Sequence, residues 1–159
     1  MTESQQEGRE NMPAEDSEFR YFPAGDSALV VEAGNEISPK LNQKIRGLVL
    51  ALEEYALPGI RELVPTYRSL MILYDPAIIL FTELIEHIKH LEVHVQTVEL
   101  PEPRIVEIPV VYGGDFGQDI DYVADYHDLN TEEVVALHSG RDYLVYMLGF
   151  TPGFCYLGG

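Results

Sequence analysis

Apolar residues recur at helical spacing in two stretches of the first hundred residues. The first predicted helix begins after Ser38, a typical N-cap, with Pro39 in its first turn, and it ends before Pro58. One face of this helix carries Leu41, Ile45, Leu48, Leu52 and Tyr55. The second predicted helix starts at an N-cap at Thr82. Its inward positions are Leu84, Ile85, Ile88 and Leu91.

Short apolar stretches predict strands before, between and after these helices. The strands are expected at residues 19–22, 28–32, 60–64, 69–74 and 95–100. Helices interleaved with short, mostly hairpin-linked strands are typical of an α+β sandwich with its helices on one face of the sheet. We therefore predict an N-terminal α+β domain over residues 19–100.

Two prolines within residues 101–104 predict a boundary, followed by a second domain over residues 101–159. Residues 105–112 predict a strong strand, and Pro109 favours a sheet edge or a strand end because it has no N–H to donate. A short helix is expected at 119–126. Asn130 and Glu133 have the spacing of a capping box for a helix over 134–138, with Gly140 after it. A strand over 141–148 then leads into the terminal loop.

The last eleven residues, GFTPGFCYLGG at 149–159, combine four glycines and a proline with three large aromatic rings. Glycine serves where the backbone must take positive φ or approach another group closely, and proline presets a turn. Such a loop can present backbone N–H groups and ring faces to a ligand. The simpler interpretation is a turn that closes a β-hairpin.

Charge and composition make some partners and some locations of the protein less plausible. The net charge of −17 argues against nucleic acid and against anionic membrane surfaces as partners. A single cysteine permits no intrachain disulfide, and no apolar run is long enough to span a bilayer, so we predict a cytoplasmic protein. Residues 1–18 contain six acids and one arginine, and we expect them to be a disordered acidic tail.

Several motifs occur in the order found in one bacterial family. They are PAGDSAL at 23–29, PTYRSL at 65–70, YDP at 74–76, EIPVVYGG at 107–114 and YLVYMLGFTPGFCYLGG at 143–159. Together they resemble the family of the 5-oxoprolinase B subunit, the kinase inhibitor KipI and allophanate hydrolase subunit 1, whose domain also occurs in the carboxyltransferase part of urea carboxylase. Cys155 and Gln118 depart from the family pattern without disturbing this order.

The resemblance implies a cyclophilin-like β-barrel as the second domain. Family members continue through further segments that complete this barrel. We therefore expect residues 101–159 to form only its first part, and the chain alone to be inactive. The implied function is that of a subunit of ATP-dependent 5-oxoprolinase, which opens 5-oxoproline to glutamate. Subunits A and C are the implied partners, with ATP and magnesium bound by the complex and none by this chain alone.

Two alternatives remain open. A KipI-like protein would bind and inhibit a sensor histidine kinase. A relative of the allophanate hydrolase or urea carboxylase subunits would act in urea breakdown. On the resemblance, the residues expected to line a ligand site or a partner interface are Tyr143, Gly149, Phe150, Pro152, Gly153, Phe154, Tyr156, Gly158 and Gly159.

Other candidate residues have competing interpretations. His138 could act as a general base oriented by Asp142 or Glu133, but a helix-capping role is favoured. The glycine-rich loop at 112–119 could cradle phosphate, yet it lacks a basic residue, so its aspartates are expected to cap the next helix.

Three histidines, His87, His90 and His94, share one side of the second predicted helix. We interpret them as surface residues rather than as a metal site, and no metal site is predicted. Cys155 has no basic neighbour in sequence to generate a thiolate, so it is not expected to be a nucleophile. Arg68 could bind a carboxylate or phosphate, or neutralise its own acidic neighbours.

Overall fold

The computed structural model describes residues 19–95 and 99–158, and the chain separates into two compact units, residues 1–98 and 99–159. The predicted disordered tail, residues 1–18, and Gly159 lie outside the described residues. In the described part of the chain, no helix is both long enough and apolar enough to cross a membrane.

The first unit contains a four-stranded antiparallel sheet and two helices. In chain order these are β1 (Arg20–Pro23), β2 (Ala28–Glu32), α1 (Pro39–Tyr55), β3 (Ile60–Pro65), β4 (Ser69–Tyr74) and α2 (Phe81–Val95). The strand order is β1-β2-β4-β3, and each neighbouring pair is antiparallel. This arrangement confirms the predicted α+β class.

The apolar side chains of the strands and of both helices pack together in one core. Alternate residues of β4 are fully buried, and so are the apolar faces of both helices. The side chains that lose essentially all solvent contact are Leu29, Val31, Ile45, Leu48, Leu52, Leu70, Ile72, Leu84 and Ile88. Burying a large aliphatic side chain stabilises a fold by about 1.5–3 kcal/mol, so this cluster dominates the stability of the unit.

The ends of α1 follow the expected chemistry. The Ser38 hydroxyl accepts a hydrogen bond from Leu41 N at 3.3 Å, as an N-cap should. Ala56 takes a left-handed conformation after the last turn, and its N–H donates to the Leu52 carbonyl. Inside the helix, the buried Asn42 donates its amide to backbone carbonyls of the turn between β3 and β4, and thus ties α1 to the sheet.

The predictions for the two ends of α2, an N-cap at Thr82 and a strand over 95–100, were wrong. Thr82 is the second residue of the helix rather than its N-cap, and the Glu83 carboxylate accepts a hydrogen bond from Leu80 N at 2.9 Å instead. No strand forms in the described part of 95–100. Val95 ends α2 and is buried against the helical layer, because its side chain continues the apolar face of that helix.

The second unit has short helices and one hairpin. A 3₁₀ turn (Gly114–Phe116) precedes α3 (Ile120–Tyr126) and α4 (Thr131–Ser139), and β5 (Leu144–Leu148) pairs with β6 (Cys155–Gly158). The predicted capping box is confirmed. Glu133 N donates to Asn130 Oδ1 at 2.9 Å, and Asn130 N donates to the Glu133 carboxylate at 2.8 Å. In the part of this unit that the structure describes, the sheet has two strands and does not close into a barrel.

The strand predicted at 105–112 was wrong. These residues have no strand assignment, and Ile105, Val106, Ile108, Val110 and Val111 are all exposed. A strand requires a neighbouring strand that accepts hydrogen bonds from its N–H groups and donates hydrogen bonds to its C=O groups. None of the described strands pairs with this stretch. Local apolar content is therefore not sufficient to make a strand here.

The predicted capping role of Asp119 was also wrong. Asp119 precedes α3, but its side chain makes no capping hydrogen bond. Its backbone is already in the helical region, whereas a capping carboxylate needs an extended residue to fold back on the first turn. Asp121, in the first turn, remains placed to complement the helix dipole.

Candidate functional site

An open cleft of about 500 Å³ lies within the second unit. The loop before the 3₁₀ turn, the start of α3 and the first half of α4 form its walls. Its lining residues are Tyr112, Gly113, Gly114, Ile120, Asp121, Thr131, Glu132, Val135 and Ala136. The wall thus combines backbone of a glycine loop, one phenol, one hydroxyl, two carboxylates and three apolar side chains.

Glycines allow the loop to fold tightly at the mouth of this cleft. Gly113 and Gly114 both have positive φ, at 74° and 56°. At Gly117, a Cβ would lie 2.6 Å from the backbone nitrogen of Gly113, so a side chain there would force the loop open. The carboxylates of Asp121 and Glu132 line the cleft and would repel a phosphate, which favours the non-phosphate interpretation of this loop.

One wall of the cleft is connected to His138. The Tyr112 hydroxyl and His138 Nδ1 are 2.5 Å apart, and their rings meet edge to face with centroids 5.6 Å apart. We call these two residues the Tyr112–His138 pair. His138 lies in the last turn of α4 and is exposed, whereas Tyr112 is half-buried and faces the cleft. The contact joins residues 26 positions apart.

Tyr143 holds the same histidine from the other side. Its hydroxyl donates to the His138 backbone carbonyl at 3.0 Å, and the two rings lie 5.8 Å apart. The Arg141 guanidinium carbon lies 5.1 Å from the Tyr143 ring centroid, a cation–π distance. The carbonyl that Tyr143 satisfies is one of those that a helix end leaves without a helical partner.

The sequence named His138 and Tyr143 but not Tyr112 as their companion. Of the partners expected for His138, Glu133 is engaged in the capping box of α4. The described hydrogen bond of the imidazole is instead made by the phenol at the end of the stretch predicted as a strand. The sequence placed Tyr112 in the motif at 107–114 and at the start of the glycine-rich loop, but neither specified a role for it.

The terminal loop closes the β5–β6 hairpin, so its simpler interpretation is correct in geometry. Gly149 N donates to Phe154 O at 3.0 Å, and Phe154 N donates to Thr151 O at 3.0 Å. Phe150 and Gly153 take positive φ, at 56° and 81°. Positive φ is strained for an aromatic residue, yet the ring of Phe150 is 90% exposed rather than packed.

Three predicted loop residues form one line of edge-to-face contacts. Phe150 and Phe154 have centroids 6.3 Å apart, and Phe154 and Tyr156 have centroids 5.3 Å apart. We call these three residues the aromatic row. Phe150 and Phe154 are exposed and Tyr156 is half-buried, and exposed apolar rings are typical of a surface that contacts another molecule.

The glycines of the hairpin make room for rings. A Cβ at Gly149 would meet Met147 Cε at 3.1 Å and Tyr156 Cε2 at 3.5 Å. A Cβ at Gly158 would collide with the Tyr146 ring that crosses it from β5. Pro152 is exposed in the turn. Cys155, the first residue of β6, is also exposed, and its sulfur contacts the Gly153 carbonyl at 3.6 Å.

Candidate residues in the first unit have structural partners. Arg68 donates to the Gly34 carbonyl at 2.5 Å and to Glu32 at 3.1 Å, which supports its role of neutralising acidic neighbours. His87 lies against the Tyr55 ring at 5.9 Å, and His87 and His90 line a shallow groove on α2. The side chain of His94 lies outside the described residues, and those described contain no group of three potential metal ligands.

Comparison with known proteins places this chain in a family. The model of the carboxyltransferase domain, subdomain C and D, matches residues 19–159. A Bacillus subtilis (strain 168) protein, named as the B subunit of 5-oxoprolinase, is 38% identical, over 89% of this chain and 63% of that protein. An Escherichia coli O157:H7 protein of the same name is 34% identical, over 87% of this chain and 62% of its own length. The chain thus spans less than two thirds of these relatives.

A solved structure has the same fold. The protein TTHA0988 superimposes with a TM-score of 0.69 and is 36% identical, over 82% of this chain and 25% of that chain. The similarity agrees with the α+β class found in the structure.

Proposed function

Because the chain belongs to the family of the carboxyltransferase domain, subdomain C and D, we propose that it acts as the B subunit of an ATP-dependent 5-oxoprolinase. The observation that carries the proposal is that two relatives from different bacteria, 38% and 34% identical over most of this chain, both have that name. The reaction would hydrolyse the lactam of 5-oxoproline to glutamate at the expense of ATP.

The chemistry explains why a single small chain would need partners. A lactam is stabilised by amide resonance and resists water, so activation by ATP would convert its oxygen into a leaving group. Phosphoryl transfer requires cationic groups around the phosphates. Residues 99–159 include only two basic side chains other than histidine, Arg104 and Arg141. We therefore assign ATP and magnesium to the complex with subunits A and C.

The cleft would hold the lactam. The carboxylate of 5-oxoproline is bonded to the carbon next to the ring nitrogen. The carboxylates of Asp121 and Glu132 would therefore favour the ammonium group formed there in glutamate, with the substrate carboxylate turned away from them. Backbone N–H groups of the glycine loop could stabilise an oxyanion if they face it in the assembled enzyme. The exposed aromatic row would contact the partner subunits.

The test is reconstitution. The chain would be co-expressed with subunits A and C, the complex purified, and glutamate formed from 5-oxoproline measured with and without ATP. We expect glutamate only when all subunits and ATP are present. An assembled complex that forms no glutamate would contradict the proposal. Omission of each subunit in turn is the control.

The exposed aromatic row also favours protein binding, as a KipI-like inhibitor would require. Reduced autophosphorylation of a sensor histidine kinase on addition of the pure chain would support that alternative, and an unaffected kinase would remove it. A role in urea or allophanate breakdown remains a prediction and would require urea-dependent bicarbonate consumption with a biotin-bearing partner. The cytoplasmic location likewise remains a prediction.

A further inference from the structure

We propose that Tyr112 is the proton donor to the departing lactam nitrogen, and that His138 positions its hydroxyl and resupplies its proton. The proposal rests on the proposed function and assigns a residue to its bond-breaking step. Tyr112 lies in the motif EIPVVYGG at 107–114, but the motif assigns it no role. It is the contact with the imidazole, made beside the cleft, that singles it out.

Tyr112 is the phenol that lines the cleft, at the point where the glycine loop begins. Its hydroxyl is 2.5 Å from His138 Nδ1, so the phenol and imidazole can share a proton. His138 is exposed, so its other ring nitrogen can exchange protons with water. The pair thus connects the cleft to solvent.

His138 is held in place by neighbouring groups. The Tyr143 hydroxyl donates a hydrogen bond to the His138 carbonyl, and the Tyr143 ring lies beside the imidazole. Glu133 is committed to capping the other end of α4. A purely structural tyrosine–histidine contact would not need to face a cleft, whereas a proton-transfer pair requires both orientation and access to substrate.

Charged and titratable side chains lie around the Tyr112–His138 pair. The titratable groups around the pair are Asp121 on α3, Glu132 on α4, and Tyr143 with Arg141 after α4. The first two carboxylates line the cleft beside Tyr112. The nitrogen of 5-oxoproline is neutral in the lactam and becomes an ammonium in glutamate. These carboxylates would therefore stabilise the product amine once it has taken up its second proton, with the substrate carboxylate, bonded to the carbon next to that nitrogen, turned away from them.

The proton balance is complete. In the proposed reaction, ATP transfers its γ-phosphoryl group to the lactam oxygen and leaves as ADP. One water then adds to the activated carbon and gives up a proton to solvent. When the ring C–N bond breaks, its electron pair stays on nitrogen, and nitrogen takes the proton of the Tyr112 hydroxyl. Tyr112 recovers a proton from His138 Nδ1, and His138 takes one from water at Nε2. A second water hydrolyses the resulting acyl phosphate to glutamate and phosphate, and no oxidant is required.

The test compares Tyr112→Phe with Tyr122→Phe in the reconstituted complex. Tyr122 is an exposed tyrosine on α3 whose ring contacts Tyr126, away from the cleft lining. We expect Tyr112→Phe to lower kcat about 100-fold or more, in the range for loss of an acid–base group, with the KM for 5-oxoproline changed less than about threefold. Tyr122→Phe should leave kcat unchanged.

The role of His138 requires a readout that a structural role would not change. His138→Gln keeps a polar side chain but cannot titrate. We expect it to remove one limb of the pH profile of kcat, while Tyr143→Phe retains that limb. In the full chain, the ¹⁵N shifts of the His138 ring should change on Tyr112→Phe and on addition of 5-oxoproline.

The outcomes separate the two proposals. An inactive wild-type complex overturns the proposed function and this inference together. An active wild-type complex in which Tyr112→Phe keeps normal kcat overturns this inference alone. A His138→Gln enzyme with an unaltered pH profile overturns the role of His138. Thermal unfolding of each variant, followed by circular dichroism, establishes that a loss of activity is not a loss of fold.

Discussion

The two units of this chain differ in where their apolar side chains lie. In the first, the sheet and both helices enclose a core of fully buried residues. In the described part of the second, Ala124 is the one buried hydrophobic residue, and large side chains such as Ile108 and Phe150 are exposed. We therefore expect the buried core of the first unit to supply most of the stability, and the exposed apolar side chains of the second are of the kind found where one molecule contacts another.

The largest expected effect tests this division directly. Ile72→Ala, in the centre of β4 and 0% exposed, should lower the free energy of unfolding by about 2–5 kcal/mol. The matched change Ile108→Ala, at a residue 74% exposed, should alter it by less than about 0.5 kcal/mol. Urea unfolding followed by circular dichroism measures both. Equal losses would show that the second unit has a core of its own in solution.

The second expected effect concerns the second unit, whose exposed aromatic row is tested by measuring binding to the partner subunits. Phe150→Ala should leave the unfolding free energy nearly unchanged, because the ring is exposed, but weaken assembly with the partner subunits about 30-fold. Calorimetry of the complex measures the affinity. Phe116→Ala, an equally accessible phenylalanine of the same unit outside the aromatic row, is the control. Equal weakening by both would remove the special role of the row.

A smaller effect is expected within the second unit. Asn130→Ala removes the side chain that accepts from Glu133 N and should destabilise α4 by about 1 kcal/mol. Asn130→Asp keeps an acceptor and should retain most of that stability. Hydrogen exchange of the α4 amides reports the local change. Loss of protection throughout the β1–β4 sheet in Asn130→Ala would mean that the two units unfold together.

The smallest effect concerns pH and the first unit. The Arg61 guanidinium and the Ala77 N–H hydrogen bond to Asp75 and hold the pKa of its carboxyl below the ordinary value of 3.8. A pKa lowered by folding stabilises the protein above the unfolded-state pKa, and that stability is lost as pH falls through the folded-state value. Unfolding free energies measured from pH 6 to pH 2 should therefore fall more steeply in wild type than in Asp75→Asn. Parallel curves would contradict this.

Local sequence was sufficient for elements whose partners lie nearby along the chain. The Ser38 cap, the apolar face of α1 and the capping box of Asn130 and Glu133 each depend on residues within a few turns, and all were predicted. The strand expected at 105–112 failed for the opposite reason. Its apolar residues meet the local requirement for a strand, but a strand also needs a neighbour, which local sequence does not specify.

The sequence by itself determined the family, the α+β class and the aromatic composition of the terminal hairpin, because ordered motifs and periodicity are properties of neighbouring positions. Only the tertiary structure decided that Tyr112 meets His138, that Arg68 is used internally, and that Phe150, Phe154 and Tyr156 form one row. These contacts depend on how elements pack or on how a turn closes. Such geometry follows from the burial and hydrogen bonding of the unit as a whole, and a pattern of residue types does not contain it.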